Sequence, residues 1–135
     1  MVLHKLKLCV AILIVATCSC GRENDLGLYV DSFEYDLGDI PKGQRCDCKA
    51  RIKNNTGKAI KVKSVLTGCS CITASIDNKR IKKHSTTYLN ISFDSSSKAE
   101  AYYEYSVILY IDTSPNPYLF KVKANVLSPE QRMLD

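Results

Sequence analysis

Apolar and polar residues alternate with a period of two along most of this chain, which is the pattern of β-strands with one buried face. The run from Arg45 to Lys53 is the clearest, and its apolar positions are Cys46, Cys48, Ala50 and Ile52. After Asp31 no window carries apolar residues at i, i+3, i+4 and i+7 over three turns. Turn-forming residues interrupt the alternating segments about every ten positions, which is typical of an antiparallel sandwich.

The alternating segments predict seven strands. Six are clear and one, near Ile72 to Ile76, is short; the six are Ser32 to Leu37, Arg45 to Lys53, Ala59 to Leu66, Tyr88 to Phe93, Tyr103 to Ile111 and Tyr118 to Leu127. The phase slips before Val65, which predicts a bulge or a strand end there. Asn54-Asn55-Thr56-Gly57 predicts a tight turn, because these residues tolerate left-handed dihedral angles. The sequence therefore predicts an all-β, immunoglobulin-like, seven-stranded antiparallel sandwich.

The apolar side chains on the inward faces of the strands form the expected core. We expect burial of Phe33, Ile52, Val62, Leu89, Ile91, Phe93, Val107, Leu109, Val122 and Val126.

The first twenty residues follow a different pattern, that of a signal peptide. A short basic start, with Lys5 and Lys7, precedes the apolar run from Cys9 to Thr17, which is about half the ~20 residues that a membrane helix needs. Val15-Ala16-Thr17-Cys18 resembles the bacterial lipobox, in which the cysteine becomes the lipidated first residue of the mature protein. We therefore expect lipidation at Cys18. Cys20 is the alternative, and an ordinary secretory signal cut nearby or a short amphipathic anchor is a further one.

These boundaries divide the chain into a signal peptide (residues 1–17), a lipidated N-terminus and tether (18–31), an immunoglobulin-like domain (32–128) and a C-terminal tail (129–135). The mature chain has 135 − 17 = 118 residues, enough for one domain with one core. We expect it in the cell envelope, lipid-anchored, on the periplasmic face or at the outer membrane.

The charge of the chain argues against nucleic acid as a partner. Without Lys5 and Lys7 the formal charge of +5 falls to about +3, and most lysines are scattered. The one dense basic cluster comprises Lys79, Arg80, Lys82 and Lys83 and is expected to be an exposed loop.

Four cysteines are the candidates for disulfide or metal chemistry: Cys46, Cys48, Cys69 and Cys71. Neighbours i and i+2 on a regular strand lie about 6.6 Å apart, so Cys46 and Cys48 should not bond to each other. The antiparallel turn at Asn55 to Gly57 should bring both pairs to one end of the domain. Four interpretations stay open there: cross-strand disulfides, a thiolate site for Cu(I) or Zn(II), thiol exchange, and buried free cysteines.

Motifs of known enzymes are otherwise missing from the sequence, so we predict that the protein is not an enzyme and binds no cofactor. The alternative to the second prediction is that it binds copper or zinc. No nucleophile elbow, phosphate-binding glycine loop or His-Glu-x-x-His appears in the sequence. Tyrosines are numerous on two strands that should be neighbours, and an exposed stripe with Tyr102, Tyr110 and Tyr118 is a possible recognition surface, although cross-strand pairing explains it equally well.

Several motifs follow one another at the spacing of a known bacterial family: Phe33-Glu34-Tyr35-Asp36-Leu37-Gly38-Asp39-Ile40, Lys42-Gly43, Asn55-Thr56-Gly57, Gly68-Cys69-Ser70-Cys71-Ile72-Thr73, Ile91-Ser92-Phe93-Asp94 and Pro115-Asn116-Pro117. The series resembles domain of unknown function 1573, an immunoglobulin-like module related to the major sperm protein and ASH sandwiches. Many of its members are secreted or lipid-anchored proteins of Bacteroidetes. Two departures are Lys83-His84 in place of the usual Pro-Gly turn and the additional Cys46-Asp47-Cys48.

The resemblance supports the fold and implies no activity, since the family has no established one. We predict a lipid-anchored envelope protein whose sandwich is a non-catalytic binding or assembly module for a protein partner. The alternative is a soft-metal-binding or thiol-active envelope protein that uses the four cysteines.

Overall fold

The alternating segments form two β-sheets in the computed structural model, which describes residues 27–130. Nine strands occur in this range: β1 (Leu28–Val30), β2 (Glu34–Pro41), β3 (Arg45–Asn54), β4 (Ile60–Thr67), β5 (Ile72–Ile76), β6 (Arg80–Ile81), β7 (Thr86–Asp94), β8 (Ala101–Ile111) and β9 (Tyr118–Leu127). Within residues 27–130 there is no helix with the length and hydrophobicity that a membrane span requires. The predicted all-β class is confirmed.

The strand count of seven is wrong, because two short strands escape the alternation pattern. β1 has three residues and β6 has two, too few to show a period. β1 also lies inside the segment that the sequence assigns to the tether, so the folded domain begins at Leu28 rather than at Ser32. The bulge predicted before Val65 is confirmed as a register shift between Val62 and Ser64.

The two sheets pack face to face and differ in strand number. One has four strands in the order β1-β3-β7-β5, and the other has five in the order β2-β9-β8-β4-β6. All neighbours are antiparallel except β2 and β9, which run parallel. The turn that follows Asn54 therefore carries the chain from one sheet to the other and does not close a hairpin.

The two ends of the sandwich differ and are named here for what they hold. The N-terminal pole is the end where the described chain enters at Gly27, beside Asn54 and Lys82. The cysteine pole is the opposite end, where β3 begins near Gln44 and the connection from β4 to β5 contains Cys69.

The inward faces of both sheets form a single core. Nine of the ten residues predicted for it are buried, and Phe33 is half-buried against Tyr118 and Phe120. The largest fully buried side chains are Phe93 and Phe120. A core of this size holds the two sheets in fixed register, and this fixes the position of each edge strand.

Candidate functional site

The first half of β3 has an edge that no strand covers within residues 27–130. On one side β3 pairs with β7 from Arg45 to Lys53, but on the other side β1 pairs only with Ile52, Lys53 and Asn54. Asp31 extends this cover by one residue, because its N–H donates to the Arg51 carbonyl and its carboxylate accepts from the Arg51 N–H. Residues 45–50 therefore form the open edge.

The backbone groups that face this edge can be assigned from Arg51. In an antiparallel ladder, successive residues direct their N–H and C=O groups to opposite sides. Arg51 bonds toward β1 and Asp31, so Lys49, Asp47 and Arg45 direct their backbone groups the same way, into the open edge. An exposed row of this kind is a template for pairing with another extended chain.

Half-buried side chains lie between the open edge of β3 and β2, which is the edge strand of the facing sheet. Cys46 and Cys48 pack against the core from β3, and Phe33, Tyr35 and Leu37 pack against it from the other side. Tyr35 is held in place because its hydroxyl donates to the Asp31 carboxylate at 2.9 Å and to the Ser32 carbonyl at 3.0 Å. Burial, followed by these interactions with Asp31, raises the pKa of Tyr35.

A shallow depression adjoins the open edge on the outer face of the same sheet. Its volume is about 280 Å³, and Asp47 and Lys49 of the edge line it together with small polar residues of β5 and β7, among them Thr73, Ser75 and Ser92. The edge and the depression together offer backbone pairing and a mostly apolar floor, to which Cys48, Ala74 and Ile91 contribute.

The cysteine pairs lie at one end of the sandwich, as predicted, but the sulfurs do not pair across strands. Cys46 and Ile72 are both opposite Phe93, one on each side of β7, so a whole strand separates the two motifs. The disulfide joins Cys69 to Cys71, with their α-carbons 5.1 Å apart, while Cys46 and Cys48 are free. The cross-strand disulfide, one of the four interpretations, is wrong because the intervening β7 keeps the motifs apart.

Cys69 and Cys71 can bond to each other because the chain turns between them. The N–H of Ile72 donates to the Cys69 carbonyl at 3.1 Å, which closes a tight turn just before β5. The i, i+2 argument that excludes a bond between Cys46 and Cys48 on a regular strand does not apply in such a turn. The signal available in the sequence was Gly68, a turn-forming residue directly before the motif.

The four cysteines do not come together as a metal site. Among the described residues no group of three or more histidine, cysteine, aspartate or glutamate side chains is placed to hold a metal ion. Two of the sulfurs are in the disulfide. Burial, and then the nearby Cys46 and Asp47, raise the pKa of the Cys48 thiol to about 11, so it stays protonated at neutral pH.

The tyrosines predicted as a recognition stripe are separated from one another. Tyr102 is 58% exposed on β8, whereas Tyr110 is half-buried eight residues further along the same strand. Tyr118 faces the core and is 6% exposed, so its placement on this surface is wrong. It follows the buried face of β9, with Phe120 and Val122.

Charged and aromatic side chains at the cysteine pole form contacts that the sequence did not reveal. Arg45 forms an ion pair with Asp94 at 3.0 Å across the first register pair of β3 and β7. Hydrogen bonds from Ser96, together with Arg45, lower the pKa of Asp94 to about 2. The ammonium of Lys98 lies 5.4 and 5.1 Å from the ring centres of Tyr103 and Tyr105. The ion pair ties the start of the open edge to β7.

The predicted lipidation sites, Cys18 and Cys20, and the signal peptide lie outside the described residues. The described chain enters the domain at the N-terminal pole, where the Asn55 N–H donates to the Gly27 carbonyl at 2.8 Å.

Comparison with protein families gives one match that covers most of the chain. A family model described as a protein of unknown function (DUF1573) matches residues 28–126, from β1 to the last residues of β9. No protein of curated function matches the sequence significantly.

Solved structures with the same architecture come from several kinds of protein. A protein of unknown function from Porphyromonas gingivalis W83 is 22% identical with a TM-score of 0.65, over 73% of this chain and 46% of that one. The ASH/PapD-like domain 7 of human CEP192 is 9% identical with a TM-score of 0.61, over 76% of this chain and 87% of that one. The secreted serine protease VesC from Vibrio cholerae is 14% identical with a TM-score of 0.58, over 76% of this chain and 24% of that one.

These likenesses concern the fold alone. This chain spans less than half of the P. gingivalis protein and about a quarter of VesC.

Proposed function

Since the chain belongs to the DUF1573 family of proteins of unknown function, we propose a function from its own surface. It is a lipid-anchored cell-envelope protein whose sandwich is a non-catalytic module that binds a protein partner. The partner adds an extended segment to the open edge of β3.

The observation that carries this proposal is the open edge itself. Proteins commonly cover or blunt exposed strand edges, because uncovered ones pair indiscriminately. Here β1 and Asp31 cover the second half of β3 and leave residues 45–50 uncovered, with the backbone groups of Lys49, Asp47 and Arg45 directed outward. Strand addition supplies affinity through main-chain hydrogen bonds. The alternating charges of Arg45, Asp47 and Lys49 would select among partners.

The anchor is supported by the sequence and by where the chain enters the domain. The basic start, the short apolar run and the lipobox-like Val15-Ala16-Thr17-Cys18 favour lipidation. Entry at the N-terminal pole leaves the open edge, which lies toward the cysteine pole, on the side of the domain away from the tether. A membrane-held domain of this kind presents its edge to soluble partners.

A proline substitution on the outward-facing backbone tests the proposal. Lys49→Pro removes one N–H from the open edge and leaves the ladder with β7 intact, because proline is tolerated where the N–H faces solvent. Lys49→Ala is the matched control, since it removes the same side chain and keeps the N–H. A photo-crosslinking residue at Asp47, which lines the adjoining depression, would capture the partner in intact cells, with the adduct identified by mass spectrometry.

We expect the adduct to be lost in Lys49→Pro and at most weakened in Lys49→Ala, which loses one selecting charge but keeps the N–H, with both variants folded by urea denaturation. A folded Lys49→Pro variant that still gives the full adduct would show that the partner does not bind by strand addition. Ala50→Pro is a useful third variant, because its ring would break the ladder with β7 and destabilise the domain.

A further inference from the structure

The segments that connect the longer strands at the two poles, short strand β6 included, differ in net charge. At the N-terminal pole, residues 55–59, 77–85 and 112–117 contain five cations and two carboxylates, 5 − 2 = +3: Lys58, Lys79, Arg80, Lys82, Lys83, Asp77 and Asp112. At the cysteine pole, residues 42–44, 68–71, 95–100 and 128–130 contain two of each, 2 − 2 = 0: Lys42, Lys98, Glu100 and Glu130. The N-terminal pole is thus the cationic end of the domain.

Strand pairing brings one more cation to this end. Lys61 on β4 is the register partner of Arg80 on β6, and both are exposed. Asp112 lies close by, and its carboxylate accepts a hydrogen bond from the Lys61 backbone N–H at 2.9 Å. Among the described residues, the ion pairs involve Arg45, Lys121 and Lys123, none of which belongs to this cluster. The cations of the N-terminal pole therefore remain available to a ligand.

A pocket within this cationic end has the lining that a phosphate group needs. Its volume is about 230 Å³, and it lies between β6 and the start of β7. Arg80 and Lys82 supply charge, and Thr86 supplies a hydroxyl group. The Ser85 hydroxyl also lines the pocket but donates to the Lys82 carbonyl at 2.7 Å. Guanidinium, ammonium and hydroxyl donors are the groups that proteins use for phosphate oxygens.

The pocket is held rigidly to the point where the chain enters the domain. The buried Asn54 amide donates to the Lys58, Ile81 and Lys82 carbonyls at 2.8, 3.1 and 3.2 Å. The next residue, Asn55, bonds to Gly27. Only eight residues separate Gly27 from Cys18, and nine steps of about 3.3–3.6 Å along the chain reach at most about 32 Å. A lipid on Cys18 therefore holds Gly27, where the chain enters the cationic pole, within about 32 Å of the membrane.

We propose that the N-terminal pole binds the phosphate groups of anionic lipid headgroups and seats one of them in the pocket lined by Arg80, Lys82, Ser85 and Thr86. This inference rests on the proposed lipid anchor. It gives the anchor a second component, an electrostatic contact that sets the orientation of the domain on an anionic membrane. The domain then stands on its cationic end, with the open edge of β3 turned toward the aqueous phase.

Lysine reactivity on vesicles tests this orientation in the intact acylated protein. The protein is reconstituted into phosphatidylcholine vesicles with and without phosphatidylglycerol, and acetylation of each lysine is followed by mass spectrometry. We expect Lys82 and Lys83 to react at least about fivefold more slowly on the anionic vesicles, because each cation near such a surface contributes a factor of about five. Lys42 at the cysteine pole is the internal reference. The protection should vanish near 1 M salt, where the Debye length is about 3 Å.

Arg80→Gln should reduce the protection of Lys82 about fivefold, whereas Arg45→Gln, which removes an arginine from the opposite end of β3, should leave it unchanged. Equal reactivity on neutral and anionic vesicles would overturn the proposal, and so would equal slowing of Lys42. Protection by inorganic phosphate or glycerol phosphate without vesicles would show that the pocket takes a free anion and not a headgroup. Failure of the anchor appears separately, because the protein would then not float with neutral vesicles at all.

Discussion

A single polar side chain, Asn54, organises the N-terminal pole. It is fully buried and ends β3, where the chain leaves one sheet for the other. Its amide nitrogen donates to three carbonyls, and its amide oxygen accepts from the N–H and the hydroxyl of Thr56 at 2.9 and 2.6 Å. A buried amide whose nitrogen and oxygen are both hydrogen-bonded holds the surrounding loops in place. Removing it leaves its backbone partners without hydrogen bonds, which is costly in free energy.

Asn54→Ala should therefore lower the free energy of unfolding by about 2–3 kcal/mol, since buried carbonyls lose their donor. Urea denaturation measures this as a lower midpoint with an unchanged slope. Asn55→Ala is the matched control, because Asn55 is exposed and uses only its backbone N–H. A loss below about 0.5 kcal/mol in Asn54→Ala, the range of ordinary surface substitutions, would contradict the role assigned to this amide.

The raised pKa of Cys48 predicts how its reactivity and its effect on stability depend on pH. Alkylation requires the thiolate, so in the folded protein the rate at Cys48 should rise toward pH 11, well above the ordinary thiol range. The unfolded chain releases this proton at lower pH than the folded one. Stability from this group is therefore present below the unfolded pKa of about 8.5 and declines as the pH rises toward 11.

Peptide mapping after alkylation at several pH values checks this prediction. The urea-unfolded chain is the control and should react at Cys48 with a midpoint in the ordinary thiol range. An identical pH profile in the folded and unfolded states would contradict the burial of this sulfur.

At the scale of the strands, burial and not chemical type decides what a side chain contributes. Leu109 on β8 is fully buried, whereas Leu119 on β9 is 54% exposed, and the two strands are neighbours in one sheet. The same residue type thus occupies both faces of the five-stranded sheet. Only the inward face packs against the other sheet, so only its side chains hold the two sheets together.

Leu109→Ala should cost about 2–5 kcal/mol, the range for a large-to-small change in a packed core. Leu119→Ala should change stability by no more than about 0.5 kcal/mol, as surface substitutions do. Urea midpoints at equal slope give both values. Similar losses in the two variants would mean that the outer face of β9 is covered by another part of the protein.

The strands that the sequence predicted are those long enough to show an alternation. In β3 and β9 the period of two runs over ten residues, and nine of the ten predicted core residues are buried. β1 and β6 are too short to show any period, and their place follows only from pairing with β3 and β4. The open edge of β3 was equally hidden, because it depends on where a three-residue strand stops.

The cysteine pairing also depends on strand arrangements that the sequence does not show. The strand directions placed both motifs at one end, and the structure agrees. Which sulfurs bond depends on β7 lying between the motifs and on the turn at Cys69, and neither is local to the cysteines. In a sandwich, the pairing of strands that are distant in sequence is the feature hardest to predict from a single sequence.

At the scale of the whole molecule, the two proposed roles, membrane contact and partner binding, lie at opposite ends of the domain. The N-terminal pole receives the chain at Gly27 and carries the cationic loops, while the open half of β3 lies toward the cysteine pole. Every buried core residue of the described chain lies between Leu28 and Val126. The sandwich is therefore expected to keep its fold whether or not the N-terminal region is attached to a lipid.

This separation of fold and anchor leads to a prediction for the intact protein in cells. Cys18→Ala should abolish fatty-acid labelling and leave the protein unprocessed or released, because the cysteine at the cleavage point is the expected acyl acceptor. Cys20→Ala, two residues away, is the matched control and should be labelled and membrane-bound like the wild type. Both proteins should show the urea midpoint of the wild-type domain, since neither substitution touches the core. If Cys18→Ala is still labelled and Cys20→Ala is not, the acylated residue is Cys20, and six residues separate it from Gly27 instead of eight.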